Sequence, residues 1–185
     1  MVAMSAEAIM RNVTAAIAAV GSTYKITDYQ GNCIDLENGR TGNGIGIMSR
    51  ICTGNTNQQW VLTPDATGRF FKVTNVAAET VVMSVPAITD ATTVSIRSLQ
   101  LQPLTGQINS IMLWDMQLNT NFPSNDPSFP FAFNIVPWIA PDSVPEAITA
   151  WKQPDLDIVS RGDSPLTLTI LTRTDLQQTF SLTPL

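Results

Sequence analysis

Apolar and polar residues alternate in short runs along the chain, and turn-forming residues separate the runs, a pattern that predicts β-strands. Three runs begin alike, with an aromatic residue first and a β-branched residue two places later. These pairs are Tyr24 and Ile26, Phe71 and Val73, and Phe133 and Ile135. Side chains two residues apart lie on the same face of a strand, so each pair predicts the apolar face of a first strand.

Three further segments share a large aromatic residue near the end of each repeat. The ending with Gln58, Trp60, Leu62 and Pro64 recurs with Gln178, Phe180, Leu182 and Pro184, and a looser copy surrounds Trp114. Between these landmarks lie alternating apolar pairs: Ile45 and Ile47, Val94 and Ile96, and Leu166 and Leu168. Each repeat thus predicts about four short strands, and three repeats must share one core because a single unit cannot bury its apolar face.

The fold class that follows is all-β. We expect a β-trefoil domain over 21–185 with three unequal four-strand repeats at about 21–68, 69–121 and 130–185. A β-sandwich is the alternative, since short strands at this spacing also suit it. Apolar residues at helical spacing predict an N-terminal helix over 1–20: Ile9, Val13, Ile17 and Val20. Pro-rich stretches at 119–131 and 137–154 predict long loops at the start of the third repeat.

The amino-acid composition excludes several classes of function. The formal net charge is −5 and the ten basic residues are scattered, so no basic surface for nucleic acid is expected. The chain has no His, which excludes Ser-His-Asp and Cys-His catalysis and His-ligated zinc or haem. Two cysteines are too few for an all-cysteine zinc site, and no paired acidic motif indicates carboxylate catalysis. We therefore expect no enzyme activity and no cofactor or metal. No segment is apolar enough to predict membrane insertion.

The first repeat carries the motifs of a known family. It combines Gly31-Asn32-Cys33-Ile34-Asp35-Leu36, Asn38-Gly39-Arg40, Asn43-Gly44, Cys52 and Asn57-Gln58-Gln59-Trp60. Together these segments resemble one repeat of the ricin-B-type β-trefoil lectins, whose signature is the Q-x-W formed here by Gln58 and Trp60. The other two repeats keep only the scaffold landmarks. The resemblance implies a lectin for galactose or N-acetylgalactosamine type glycans, with glycans or glycoproteins as partners and no catalysis.

The resemblance also assigns residues to a carbohydrate site. It implies that Asp35 accepts hydrogen bonds from sugar hydroxyls, that Asn57 adds another, and that Gln58 lies behind them. An alignment on the cysteines puts Arg50 at the position of the family's stacking aromatic ring and Met48 at a commonly polar position. In the second repeat this alignment puts Met83 at the place of Asp35, and the third repeat has no Asp there.

The family also implies a disulfide between Cys33 and Cys52; two reduced thiols in a reducing compartment are the alternative. Without a clear signal peptide the chain resembles the fungal fruiting-body lectins; we expect cytoplasmic localisation, with secretion as the alternative that stays open.

Several alternatives stay open at this point. Asp35 either contacts sugar or satisfies backbone donors in a turn, and Asn57 either contacts sugar or caps an Asx-turn. Trp60 is expected in the core, with Gln58 bonding the adjacent turn. Other functions are a protease inhibitor acting through the Pro-rich loops 119–154, and a companion subunit that has lost sugar binding. For the predicted N-terminal helix two roles are open: it covers one end of the barrel, or it forms the surface of a homodimer.

Trp138 and Trp151 flank the second Pro-rich stretch and match no repeat landmark. They either pack the loop onto the barrel or form exposed anchors for a ligand or partner.

Overall fold

The computed structural model describes residues 23–86, 97–103, 110–122, 132–138, 144–151 and 164–185. These residues form β-strands and short 3-10 helices, with no α-helix among them. The strands are β1 (Thr23–Asp28), β2 (Cys33–Leu36), β3 (Ile47–Arg50), β4 (Gln59–Pro64), β5 (Phe71–Asn75), β6 (Ala78–Pro86), β7 (Arg97–Ser98), β8 (Gln100–Pro103), β9 (Ser110–Ile111), β10 (Trp114–Asn119), β11 (Ala132–Pro137), β12 (Glu146–Ala150), β13 (Ser164–Ile170) and β14 (Phe180–Pro184). The 3-10 helices are Glu37–Gly39, Thr56–Gln58 and Leu176–Gln178. The helix predicted over 1–20 lies outside the described residues, as do most of the Pro-rich stretches.

Six strands close into an antiparallel barrel. Going round it, β1 pairs with β4, β4 with β5, β5 with β10, β10 with β11, β11 with β14, and β14 with β1 again. The predicted first strands of the repeats are β1, β5 and β11, and their aromatic residues are fully buried, as are those of the closing strands β4, β10 and β14. The buried aromatic side chains are Tyr24, Phe71, Phe133, Trp60, Trp114 and Phe180.

Three hairpins meet at one end of the barrel. They are β2 with β3, β6 with β8, and β12 with β13. One buried apolar residue from each hairpin joins them: the Ile47 N–H donates to the Leu99 carbonyl at 3.0 Å, and the Leu99 N–H donates to the Leu166 carbonyl at 2.9 Å. A closed barrel capped by three equivalent hairpins is a β-trefoil, as predicted, and the β-sandwich alternative is wrong.

Leu99 and Leu101 of the second repeat lie beside Ile45 and Ile47 of the first repeat. The Leu101 N–H donates to the Ile45 carbonyl at 2.9 Å, and the Leu99 carbonyl accepts the Ile47 N–H. Val94 and Ile96 lie outside the described residues.

A buried carboxylate fixes the turn that leads into the first hairpin. Asp28 is inaccessible to solvent, and its Oδ1 accepts the backbone N–H groups of Gln30 at 2.8 Å and Asn32 at 2.9 Å. Its Oδ2 accepts the hydroxyl of Ser49, which belongs to β3. Gly31 occupies the left-handed region within this turn, with φ at 82°. The Asp28 carboxylate therefore links the turn that precedes β2 to β3.

Candidate functional site

The register of the first hairpin places the predicted site residues on one face. Asp35 lies opposite Met48, and Cys33 lies opposite Arg50. Directly opposite residues of an antiparallel pair project to the same side, so these four side chains share the outer face of the hairpin. Met48 and Arg50 are half-buried there, whereas the alternate residues of β3, Ile47 and Ser49, are buried.

Two side-chain amides hold the Asp35 carboxylate. Its Oδ1 accepts from Nδ2 of Asn57 at 2.5 Å, and its Oδ2 accepts from Nε2 of Gln58 at 2.6 Å. Asp35 is only 3% exposed, so these charge-assisted bonds compensate for its loss of hydration. Its hydrogen-bond partners are therefore side-chain amides, and the expectation that it satisfies backbone donors in a turn is wrong. A carboxylate offers about four acceptor sites, so capacity for further donors remains.

Gln58 ties the site to the loop that follows β3. Its Oε1 accepts the N–H groups of Thr53 at 2.7 Å and Gly54 at 3.2 Å, and its Nε2 also donates to the Ile51 carbonyl at 3.0 Å. The side chain is buried. As predicted, Gln58 bonds the adjacent turn; it orients Asp35 from behind.

The 3-10 helix Thr56–Gln58 presents Asn57 beside the carboxylate. The backbone carbonyl of Asn57 accepts from Nδ2 of Asn75 at 2.9 Å, which anchors this helix to the end of β5. Asn57 is half-buried, so its amide lies at the border between Asp35 and solvent.

A disulfide closes the same region. Cys33 and Cys52 are bonded, with their Cα atoms 5.0 Å apart and a sequence separation of 19. The pairing implied by the family resemblance is thus formed, rather than two free thiols. It connects β2 to the exposed loop whose backbone Gln58 binds.

The second repeat lacks the carboxylate. The Trp60 indole N–H donates to the Ile34 carbonyl at 2.9 Å, and the Trp114 indole N–H donates to the Met83 carbonyl at 3.0 Å. Met83 is therefore the equivalent of Ile34, and Ser84 lies at the place of Asp35. The alignment that put Met83 there is wrong by one residue, because the sequence has no marker for the hydrogen bond that sets the register.

The third repeat keeps the amide but replaces its charged partner. Gln178 Nε2 donates to the hydroxyls of Thr149 at 3.2 Å and Thr169 at 2.8 Å. Thr149 thus takes the place of Asp35, in agreement with the expected lack of Asp in this repeat. Its hydroxyl lies 2.6 Å from that of Thr169, so the third repeat satisfies this network within itself.

The two tryptophans outside the repeat pattern differ in their surroundings. Trp151 is half-buried and donates from its indole N–H to the Thr167 hydroxyl at 2.8 Å. Trp138 is 53% exposed, and its ring meets that of Phe70 edge to face. Trp151 therefore packs onto the barrel, which is the first of the two alternatives, whereas one face of the Trp138 ring is exposed to solvent.

Neither a metal cluster nor a membrane-spanning helix is found in the part of the chain that the structure describes. No three Cys, Asp or Glu side chains there are placed to hold a metal ion. No helix in the described ranges is long and apolar enough to cross a membrane.

Comparison with known proteins gives a family match and a set of structural neighbours. Residues 15–97 match the ricin-type β-trefoil lectin domain-like family. No curated protein matches the chain. The ricin B-like lectin of Macrolepiota procera, solved with lactose, is 19% identical, with a TM-score of 0.56 over 89% of this chain and 96% of that one.

Two further solved structures have the same fold. The C-half of the earthworm R-type lectin, in complex with GalNAc, is 14% identical, with a TM-score of 0.53 over 87% of this chain and 97% of that one. The exo-β-1,3-galactanase 1,3Gal43A of Clostridium thermocellum is 17% identical, with a TM-score of 0.61 over 89% of this chain but only 30% of the enzyme chain. At these identities the likeness establishes the shared fold. With the family match to its first part, the chain resembles the ricin-B-type β-trefoil lectins, as the motifs of its first repeat predict.

Proposed function

We propose that this protein binds carbohydrate without catalysis, and that its site is the outer face of the first hairpin. The ligand class is a glycan ending in galactose or N-acetylgalactosamine. The observation that carries the proposal is the Asp35 carboxylate, held by Asn57 and Gln58 on the face that Met48 and Arg50 share.

The residue types suit the recognition of neighbouring hydroxyls. A sugar hydroxyl donates to a remaining acceptor site of Asp35, and the amide of Asn57 lies beside it to bond a second hydroxyl. Because Gln58 and Asn57 already orient the carboxylate, the ligand does not have to order it, and the entropic cost of binding is reduced.

The apolar face of the sugar needs a cover in place of the family's aromatic ring. Met48 and Arg50 flank Asp35 and are both half-buried. The guanidinium is planar, so it lies against a pyranose ring, and the Met48 thioether adds polarizable contact. This cover is poorer than an indole, and we expect modest affinity for a single galactose.

Two kinds of observation support sugar as the ligand. The family whose model matches 15–97 is defined by ricin-type lectin domains, and two structural neighbours were solved with lactose and GalNAc.

The carboxylate occurs in one repeat of three, since Ser84 and Thr149 replace it in the others. One working hairpin site is therefore the expectation.

A glycan array tests the proposal with the wild type, Asp35→Ala and the matched control Ser84→Ala. Ser84 has the equivalent position in the second repeat, so both variants remove a polar group from the same place in a hairpin. We expect wild type and Ser84→Ala to bind galactosides that Asp35→Ala loses, with folding of each checked by circular dichroism. If folded Asp35→Ala binds every galactoside as well as wild type does, this site is refuted; no binding of any glycan by folded wild type would refute the lectin function.

A further inference from the structure

The outer wall of the barrel carries an exposed aromatic group far in sequence from the first hairpin. β11 ends at Pro137, and the next residue, Trp138, donates its backbone N–H to the Leu113 carbonyl at 2.8 Å. Trp138 is thus fixed beside the start of β10. Asp115 follows two residues after Leu113, and alternation along a strand puts it on the same outer face.

Neighbouring side chains hold this aromatic group in place. The Phe70 and Trp138 ring centroids are 6.2 Å apart at an interplanar angle of 71°. The Arg69 guanidinium carbon lies 4.9 Å from the centroid of the Phe70 ring, and Arg69 forms an ion pair with Asp115 at 3.7 Å. We name Arg69, Phe70, Asp115 and Trp138 the Trp138 platform. Edge-to-face and cation–π contacts orient its rings before any ligand arrives.

We propose that the Trp138 platform is a second saccharide-binding site, which takes a neutral pyranose on the exposed indole face. A pyranose presents C–H groups that cover an aromatic ring and hydroxyls at its edge that need partners. The platform offers both kinds of contact. Trp138 supplies the ring, and Asp115 and Arg69 supply an acceptor and donors at its border.

The charged border remains able to bond a ligand. The Arg69 side chain is 69% exposed, so most of its five donors face water, and the Asp115 side chain is 16% exposed. Gln117 Nε2 donates to Oδ2 of Asp115 at 3.1 Å, which fixes that carboxylate as Asn57 and Gln58 fix Asp35 in the first hairpin. Recognition by an oriented carboxylate thus recurs in a different part of the fold.

The surroundings favour a sugar over a protein partner. A protein hot spot lies within a ring of further contacts that exclude water. The other large apolar side chains exposed in the described ranges are not on β5, β10 or β11, whose outer faces border the platform. They are Ile51, Val144, Ile170, Leu176 and Leu185. Among the residues that the structure describes, the Trp138 indole is bordered by the charged side chains of Arg69 and Asp115, and its face matches the size of one sugar ring.

A glycan array with four proteins tests this proposal separately from the first site. The proteins are wild type, Asp35→Ala, Trp138→Ala and Trp138→Phe. We expect a set of glycans that Asp35→Ala still binds and that Trp138→Ala binds at least about tenfold more weakly. Trp138→Phe keeps a flat ring and should retain most of that binding, which distinguishes stacking from a general loss of structure.

Intrinsic fluorescence gives a direct readout in solution. Trp60 and Trp114 are fully buried and Trp151 is half-buried, so a change on adding a bound glycan of that set reports mainly on Trp138. The change should be absent in Trp138→Ala.

The outcomes distinguish the two proposals. If Asp35→Ala loses every glycan and Trp138→Ala loses none, the platform is refuted and the first site stands. If Trp138→Ala loses the glycans and Asp35→Ala does not, the platform stands and the first site fails. If Trp138→Ala changes no glycan but converts a dimer into a monomer in size-exclusion chromatography with light scattering, the platform is a self-association surface and the saccharide proposal is overturned.

Discussion

Gln58 and Gln178 make the same hydrogen bonds in two different repeats. Each accepts a threonine N–H at 2.7 Å, from Thr53 and Thr172 respectively. Each also donates to an isoleucine carbonyl, Gln58 to that of Ile51 at 3.0 Å and Gln178 to that of Ile170 at 2.9 Å. The glutamine of the Q-x-W ending is therefore first a scaffold residue, which ties the last turn of a repeat to its hairpin. The two glutamines differ in one partner of the Nε2 group. In Gln58 it also donates to the Asp35 carboxylate, whereas in Gln178 it donates to the hydroxyls of Thr149 and Thr169.

This equivalence predicts the same loss of stability but different losses of function. Gln58→Ala and Gln178→Ala each remove a buried side chain together with its hydrogen bonds to the backbone of the neighbouring loop, which costs about 2–3 kcal/mol in the free energy of unfolding. Urea denaturation of wild type and the two variants measures this loss of unfolding free energy. Glycan binding should weaken in Gln58→Ala alone, because Gln178 meets Thr149 instead of Asp35. Equal loss of binding in both variants would mean that the effect is one of folding and not of the site.

Much of the fold could be predicted because the barrel depends on residues that the sequence repeats visibly. Large aromatic residues recur at the start and end of each repeat, and all three starting strands lie where the pattern places them. The interior of the second repeat could not be predicted. The Trp114 indole N–H bonds the carbonyl of Met83, and this bond makes Met83 the equivalent of Ile34 and Ser84 that of Asp35; the sequence has no marker for it.

The site was predictable only as far as the motif extends. The first repeat identifies Asp35, Asn57 and Gln58, and the structure brings them together. The Trp138 platform depends on contacts between Phe70 and Trp138, which are far apart in sequence and match no repeat landmark. The exposure of Trp138 was one of two open alternatives, and its partners had no signal in the sequence at all.

Trp60 should stabilise the fold through the hydrogen bond of its indole N–H as well as through the volume of its ring. Phe180 fills the equivalent place in the third repeat without an indole N–H. Trp60→Phe loses the bond to the Ile34 carbonyl and leaves a small cavity, so we expect a loss of about 1–3 kcal/mol in the free energy of unfolding. Trp138→Phe is the matched control at an exposed position and should change stability by less than about 0.5 kcal/mol. Chemical denaturation compares them; equal effects would refute the role assigned to the buried bond.

The turn between β4 and β5 should contribute stability that depends on pH. Partial desolvation raises the pKa of Asp65, but hydrogen bonds from the Thr67 hydroxyl and the Phe70 N–H outweigh it and hold the pKa below its ordinary value. A lowered folded-state pKa means that the stabilisation is complete above the unfolded pKa of about 3.9 and is lost as the pH falls through the folded value. The difference in unfolding free energy between wild type and Asp65→Ala should therefore be constant near neutral pH and decrease in acid.

Asp65→Asn separates charge from geometry in the same measurement. The amide keeps an acceptor for the Thr67 hydroxyl and Phe70 N–H but does not titrate. Its stability difference from Asp65→Ala should be independent of pH, measured by urea denaturation at several pH values. A wild-type difference that persists unchanged in acid would contradict the prediction.

The disulfide should stabilise the fold and the first site together. Cys33 and Cys52 close a loop with a sequence separation of 19, for which chain entropy predicts about 3 kcal/mol. Cys33 lies on the face of Asp35, and Cys52 precedes Thr53 and Gly54, whose N–H groups Gln58 binds. The double variant Cys33→Ser/Cys52→Ser should therefore unfold at lower urea concentration and bind galactosides more weakly, while glycans that depend on Trp138 stay bound. Dithiothreitol should reproduce the loss in wild type and leave the double variant unchanged. If reduction lowers stability without changing galactoside binding, Gln58 alone suffices to orient Asp35, and the disulfide acts on the fold only.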